Sequence, residues 1–127
     1  MTDTEKLALA EAYRHATAAN DAEALRALHE PDARTWHNLD GLSVSVDDST
    51  RSLGWLHRRV PDLHLDEVHV TPTSDGFVVR WTMAGTAPGG ELRLHSCVVV
   101  EASPAGKVAR AAEYLDSAQL AVLRSAP

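Results

Sequence analysis

Residues 106–120 read GKVARAAEYLDSAQL. Gly106 closes a Ser-Pro-Ala-Gly turn, and KVARAAEYL then alternates as a strand does, successive side chains taking opposite faces. Ala109, Ala111, Glu113 and Leu115 share one parity, and Arg110 takes the other. A carboxylate in phase with alanines and a leucine sits in a small apolar hollow, where an unpaired charge is costly. Desolvation raises the pKa of such an acid toward the range useful to a general acid or base. Glu113 is therefore a candidate catalytic residue; a rim position, or a structural pairing with an arginine, explains it as simply. Asp116 and Gln119 make a capping box for a short C-terminal helix carrying Leu120 and Leu123.

Upstream, ELRLHSCVVVE (91–101) and FVVRWTMAGT (77–86) read as strands joined through Pro-Gly-Gly, with Ser74-Asp75-Gly76 as the turn before them. Residues 62–71 form another strand whose apolar phase slips. Leu63 and Leu65 lie on one parity, Val68 and Val70 on the other, which predicts a β-bulge at Asp66-Glu67. Before these strands the period is helical. Thr2 and Glu5 make a capping box for a helix to about Ala19, with Leu9, Tyr13 and Ala16 inward. Asn20 and Glu23 suggest a second box, opening a short helix with Leu25 and Leu28 inward that Pro31-Asp32 ends. The strand RTWHN follows. Asp47, Asp48 and Ser49 are N-cap candidates for a third helix with Leu53, Leu56 and Val60 inward, closed by Pro61. The order implies an α+β fold: three N-terminal helices packed on a long curved antiparallel sheet, with a short C-terminal helix.

The 127 residues fit one domain, 1–127. Twelve basic against eighteen acidic residues, net charge −6, argue against nucleic acid or an anionic membrane as partner. No apolar run is long enough to span a bilayer, and MTDTEK is not a signal peptide. The single cysteine, Cys97, excludes an internal disulfide and fits a reducing cytoplasm. No CxxC, HExxH, EF-hand or glycine-rich phosphate loop is present, so no metal or cofactor is expected.

Polar side chains in apolar phase are the remaining signals. Arg80 is in phase with Val78, Thr82 and Ala84, while Phe77, Val79, Trp81 and Met83 take the other face. Both faces of this strand are largely apolar, so one is expected to cover a cavity and the other to meet a second subunit. Arg80 is then either a substrate-orienting group or a buried partner of Glu113. His95, in phase with Arg93, Cys97 and Val99, is a candidate proton shuttle or an ordinary interface histidine. Trp36 and Asn38 share a face and His37 opposes them, which makes His37 a weaker candidate. His15, His29, His57, His64 and His69 fall on faces that read as solvated. Tyr13 could donate to a developing oxyanion or be a core tyrosine. Trp36, Trp55 and Trp81 supply apolar area for a core or a pocket. Cys97 reads as a buried small hydrophobe.

The order of these pieces resembles the nuclear transport factor two-like superfamily, and within it the SnoaL-like branch of polyketide cyclases and their limonene epoxide hydrolase and ketosteroid isomerase relatives. The resemblance is carried by Asn20-Asp21, Trp36-His37-Asn38, Gly106-Lys107-Val108 and Glu113-Tyr114-Leu115-Asp116, and covers nearly the whole chain. It implies a cone-shaped α+β barrel with a deep pocket, pairing through the outer sheet face into a homodimer, and cofactor-free chemistry by pocket acids. It places the last-strand acid at Glu113, the middle-strand arginine at Arg80, and a water-positioning aromatic and amide at Trp36 and Asn38. Thr82 stands where epoxide hydrolases carry a second acid, which counts against that reaction. The candidate catalytic set is thus Glu113, Asn38, Arg80, His95 and Tyr13, with Trp36, Trp55, Thr82 and Leu56 as candidate substrate contacts. The function to expect is cyclisation, isomerisation or epoxide opening of a small hydrophobic molecule. The alternative is a non-catalytic binding or dimerisation module of the same fold.

Overall fold

The first helix begins as its capping box requires. The Thr2 hydroxyl accepts from the Glu5 amide, and the Glu5 carboxylate accepts from the Thr2 amide. In this computed structural model, which describes residues 1–124, α1 (Asp3–Ala18) buries Leu9, Ala10 and Ala16. Lys6 is buried as well; its Nζ donates to the carbonyls of Thr73 (2.5 Å) and Ser74 (3.3 Å), tying the helix to a distant strand turn. The second cap lies one residue later than expected. Asn20 takes the left-handed region (φ 54°), which asparagine tolerates, and Asp21 caps α2 (Ala22–Leu28) by accepting from Ala24. The helix stops at Leu28, before Pro31, which lies inside β1 (His29–His37). A short strand that the sequence pattern did not suggest, β2 (Ser43–Ser45), leads into α3 (Val46–Arg59). Ser45 caps that helix, accepting from the Asp48 amide, in place of Asp47, Asp48 or Ser49.

Four longer strands follow: β3 (His64–Pro72), β4 (Gly76–Ala87), β5 (Gly90–Ala102) and β6 (Val108–Leu115). A 3₁₀ turn (Ser117–Leu120), capped by Asp116, runs into α4 (Ala121–Arg124). The strands form one six-stranded sheet in the order β2-β1-β6-β5-β4-β3. The expected bulge is present: register breaks between Asp66 and His69, with Glu67 at φ 55°. The sheet is mixed where it was expected to be antiparallel throughout, because β1 and β6 run parallel. Hairpin turns set the direction of β3 to β6, but no local turn joins β1 to β6, so sequence pattern alone leaves that direction open.

Phe77, Val79, Trp81 and Met83 of β4 and Leu92, Leu94, Val98 and Val100 of β5 form the core with Leu9, Ala10, Val60 and Leu123. Gly85 admits the end of α3, since a Cβ there would meet Val60 Cγ1 at 2.4 Å. The inward face of β4 is thus the Phe77–Met83 parity, and Arg80 and Thr82 face outward. No helix among the described residues is long and apolar enough to cross a membrane.

Candidate active site

The parallel pairing of β1 with β6 builds the site. It sets His37 opposite Glu113 in register, both on the concave side, in phase with Ala33 and Thr35 on one strand and Ala111 and Leu115 on the other. His37 Nε2 lies 3.2 Å from Glu113 Oε1, and both side chains are about a fifth exposed, at 22% and 17%. From β5 the buried Ser96 hydroxyl donates to Glu113 Oε2 at 3.2 Å. Each carboxylate oxygen therefore has one protein donor and retains a free lone pair.

The pair opens on a cavity of about 400 Å³ between the sheet and the helices, within the usual range for small-molecule pockets. Leu25, His29, Thr35, Trp81, Met83 and Leu94 form its buried part, while Leu39, Asp40, Ser52 and Trp55 are exposed and mark its mouth. From α1 Tyr13 enters the cavity wall, its ring stacked on Trp81 with centroids 5.8 Å apart and planes 8° apart. No described group hydrogen-bonds its hydroxyl. Leu53, Trp55 and Leu56 of α3 form the opposite wall, with the Arg59 guanidinium 5.8 Å from the centre of the Trp55 ring.

Electrostatics follow from this packing. The hydrogen bond that the His37 ring donates to Glu113 raises the pKa of His37 above its ordinary value; burial opposes this, and the charges of Glu113 and Asp40 add to it. Burial, with a smaller contribution from the charge of Glu113, pushes the Tyr13 phenol well up, so it stays protonated and can only donate or accept neutrally. His29 moves the other way: burial lowers its pKa, against a bond to the Leu25 carbonyl.

The structure divides the residues singled out from the sequence. Glu113, Tyr13, Trp55 and Leu56 line the cavity. Arg80, Thr82, His95, Trp36 and Asn38 do not. Arg80 and His95 lie on the convex face, where His95 Nδ1 and Thr82 Oγ1 are 3.0 Å apart. Arg80 meets neither Glu113 nor any other described carboxylate in an ion pair. Trp36 packs on Tyr114 outside, with ring centroids 5.4 Å apart. The Asn38 amide does not line the cavity. Its Oδ1 accepts from Leu115 N (2.8 Å) and its Nδ2 donates to Leu115 O (3.1 Å), while Asn38 N donates to Glu113 O (3.1 Å). Asn38 thus clamps the end of β1 to β6 at the acid and just after it.

Two cavity histidines stand out less in the sequence than in the structure. His37 was ranked below Asn38, although it shares parity with Ala33 and Thr35, a run whose small side chains leave room beside it. His29 was read as solvated, yet it is buried, because it opens β1 at the foot of α2. Among the described residues no group of three His, Cys, Asp or Glu side chains could hold a metal ion.

Comparison with known proteins agrees with this geometry at the level of the fold. The family model for the SnoaL-like domain matches residues 10–111. Among curated proteins none matches. PrhC from Penicillium brasilianum superposes with a TM-score of 0.81 at 16% identity, covering 94% of this chain and 85% of that one. AclR from Streptomyces galilaeus, described as a candidate hydroxylase, gives 0.82 at 19% identity, with 99% and 87% covered. Wild-type IdmH from Streptomyces antibioticus, described as a candidate polyketide cyclase, gives 0.78 at 16% identity, with 90% and 94% covered. At such identities the likeness is one of fold.

Proposed function

Since the chain belongs to the SnoaL-like domain family, we propose that it is a cofactor-independent acid–base enzyme of the cyclase or isomerase kind, acting on a small, largely apolar, oxygenated molecule. The observation that carries this reading is the His37–Glu113 pair at 3.2 Å, open to an apolar cavity. Glu113 fixes the imidazole through Nε2 and raises its basicity, leaving Nδ1 to meet the substrate. The ring takes a proton from a carbon next to a carbonyl. The electron pair moves to the carbonyl oxygen, which the Tyr13 hydroxyl stabilises as a donor. The resulting carbon nucleophile either is reprotonated elsewhere, an isomerisation, or attacks a second carbonyl of the same molecule, whose alkoxide recovers the proton from His37. Both courses balance without a further reactant. Epoxide opening by an acid–arginine–acid set is not proposed, because Arg80 and Thr82 lie on the other face of the sheet.

The convex face suits a second copy of this chain: Trp36, Tyr114 and Val99 form an apolar patch on it, with Tyr114 47% and Val99 39% exposed. The family resemblance points the same way. The proposed chemistry is tested with 2-tetralone, an apolar bicyclic ketone, in D₂O. The wild type is expected to speed deuterium uptake beside the carbonyl, and Glu113→Gln to lose about 10²–10⁴-fold of that acceleration with an unchanged circular dichroism spectrum. Tetralone bound without exchange would identify a binding module instead, and an unimpaired Glu113→Gln would remove the pair from the mechanism.

A further inference from the structure

The proton-transfer pair leaves one buried cavity histidine unused. His29 is 7% exposed and lines the deep part of the cavity. Its Nδ1 lies 2.6 Å from the Leu25 carbonyl oxygen, one turn back in α2. A carbonyl oxygen only accepts, so Nδ1 carries the proton, and in the neutral ring Nε2 is a bare lone pair. No described protein group satisfies Nε2. Nor is that atom sealed in the core, since the one side-chain polar atom found both buried and without a partner among the described residues is Trp81 Nε1. The lone pair therefore looks into the cavity, beside Tyr13, whose ring centre is 6.1 Å away. Burial also favours the neutral ring, so near neutral pH the atom accepts and does not donate.

We propose that His29 is the acceptor for a hydroxyl group on the bound molecule, so that the cavity takes an apolar ligand bearing an alcohol, phenol or enol at its buried end. An acceptor fixed in an apolar wall discriminates by chemistry. A hydroxyl satisfies it; an ether, a ketone or a carboxylate places a second lone pair against it and leaves both unsatisfied. The tautomer is held by the helix backbone, so the site is formed before the ligand arrives. This deepens the reading of the same cavity given above, but it needs only binding there.

The test compares 2-naphthol with 2-methoxynaphthalene by isothermal titration calorimetry on the full chain. The wild type is expected to bind the naphthol about tenfold more tightly. His29→Phe keeps a ring of similar size and removes the lone pair, and is expected to bind the two alike. Equal affinities in the wild type, a preference that survives in His29→Phe, or binding of neither probe overturns the proposal. Should His29→Phe fail to fold, ¹⁵N spectra of the wild type decide: the unprotonated Nε2 resonance of His29 is expected to move with the naphthol and to stay with the ether, and no movement with the naphthol rejects the assignment. Tetralone exchange without a naphthol preference would reject His29 alone, whereas the preference without exchange would reject the acid–base reading alone.

Discussion

On the concave side of the sheet, a histidine and a glutamate from β1 and β6 meet at 3.2 Å beside a cavity. On the convex side, a histidine and a threonine from β5 and β4 meet at 3.0 Å, with Arg80 close by on the same face. The residue types are similar, and the backbones carrying them are neighbours in one sheet. What separates the two groups is the pleat: a shift of one residue along a strand moves a side chain from one face to the other. On the inner face the polar groups lie beside Trp81, Met83 and Leu94 and are largely screened from bulk water, and the pairing with Glu113 raises the pKa of His37 and orients its ring. On the outer face Arg80 and His95 are exposed to solvent, where a charge does little to its neighbours.

The sharpest way to break this contrast is to cut each face in turn. In the tetralone assay, Arg80→Ala and His95→Ala are expected to keep activity within about threefold of the wild type, since neither side chain reaches the cavity, against the loss set out above for Glu113→Gln. A loss in Arg80→Ala as deep as that of the acid variant would mean that the faces are not functionally separate. The outer face has its own test. Sedimentation is expected to give a dimer for the wild type and a monomer for Tyr114→Glu, which would bury a charge in the apolar patch; a wild-type monomer would leave that patch without a second copy of the chain. Smallest in effect, Asn38→Ala should lower unfolding free energy by about 1–2 kcal/mol through the lost Leu115 bonds, read by denaturant titration. As a positioning residue it should also loosen the pair, returning His37 toward an ordinary titration. A stability loss with an unmoved His37 would leave Asn38 a clamp of the fold only.

The same pleat explains what the sequence could and could not disclose. Helix starts, the Asp66-Glu67 bulge and the hairpin turns are local, and short-range patterns of caps, phase and turn residues mark them. Glu113 was legible because its neighbours in phase are small and apolar. The side of Arg80 was not legible because both faces of β4 are apolar, and for Arg80 and His95 alike parity says which residues share a face without saying which face is inside. That His37 lines the cavity and Asn38 does not rests on the parallel register of β1 with β6, a contact between residues more than seventy positions apart. His29 was hidden for a related reason: its burial depends on where α2 ends against the sheet, which no local pattern records.

The central claim is that His37 and Glu113 form one coupled unit inside the cavity. The pair raises the folded-state pKa of His37 above the unfolded value, so its stabilising contribution is fully present below the unfolded pKa and is lost as pH rises through the folded one. The most direct measurement is the NMR titration of the His37 ring in the wild type and in Glu113→Gln. The wild-type ring should titrate above a free histidine, and the substitution should bring its midpoint down. A wild-type midpoint at or below that of a free histidine, or one that Glu113→Gln leaves in place, would contradict the account.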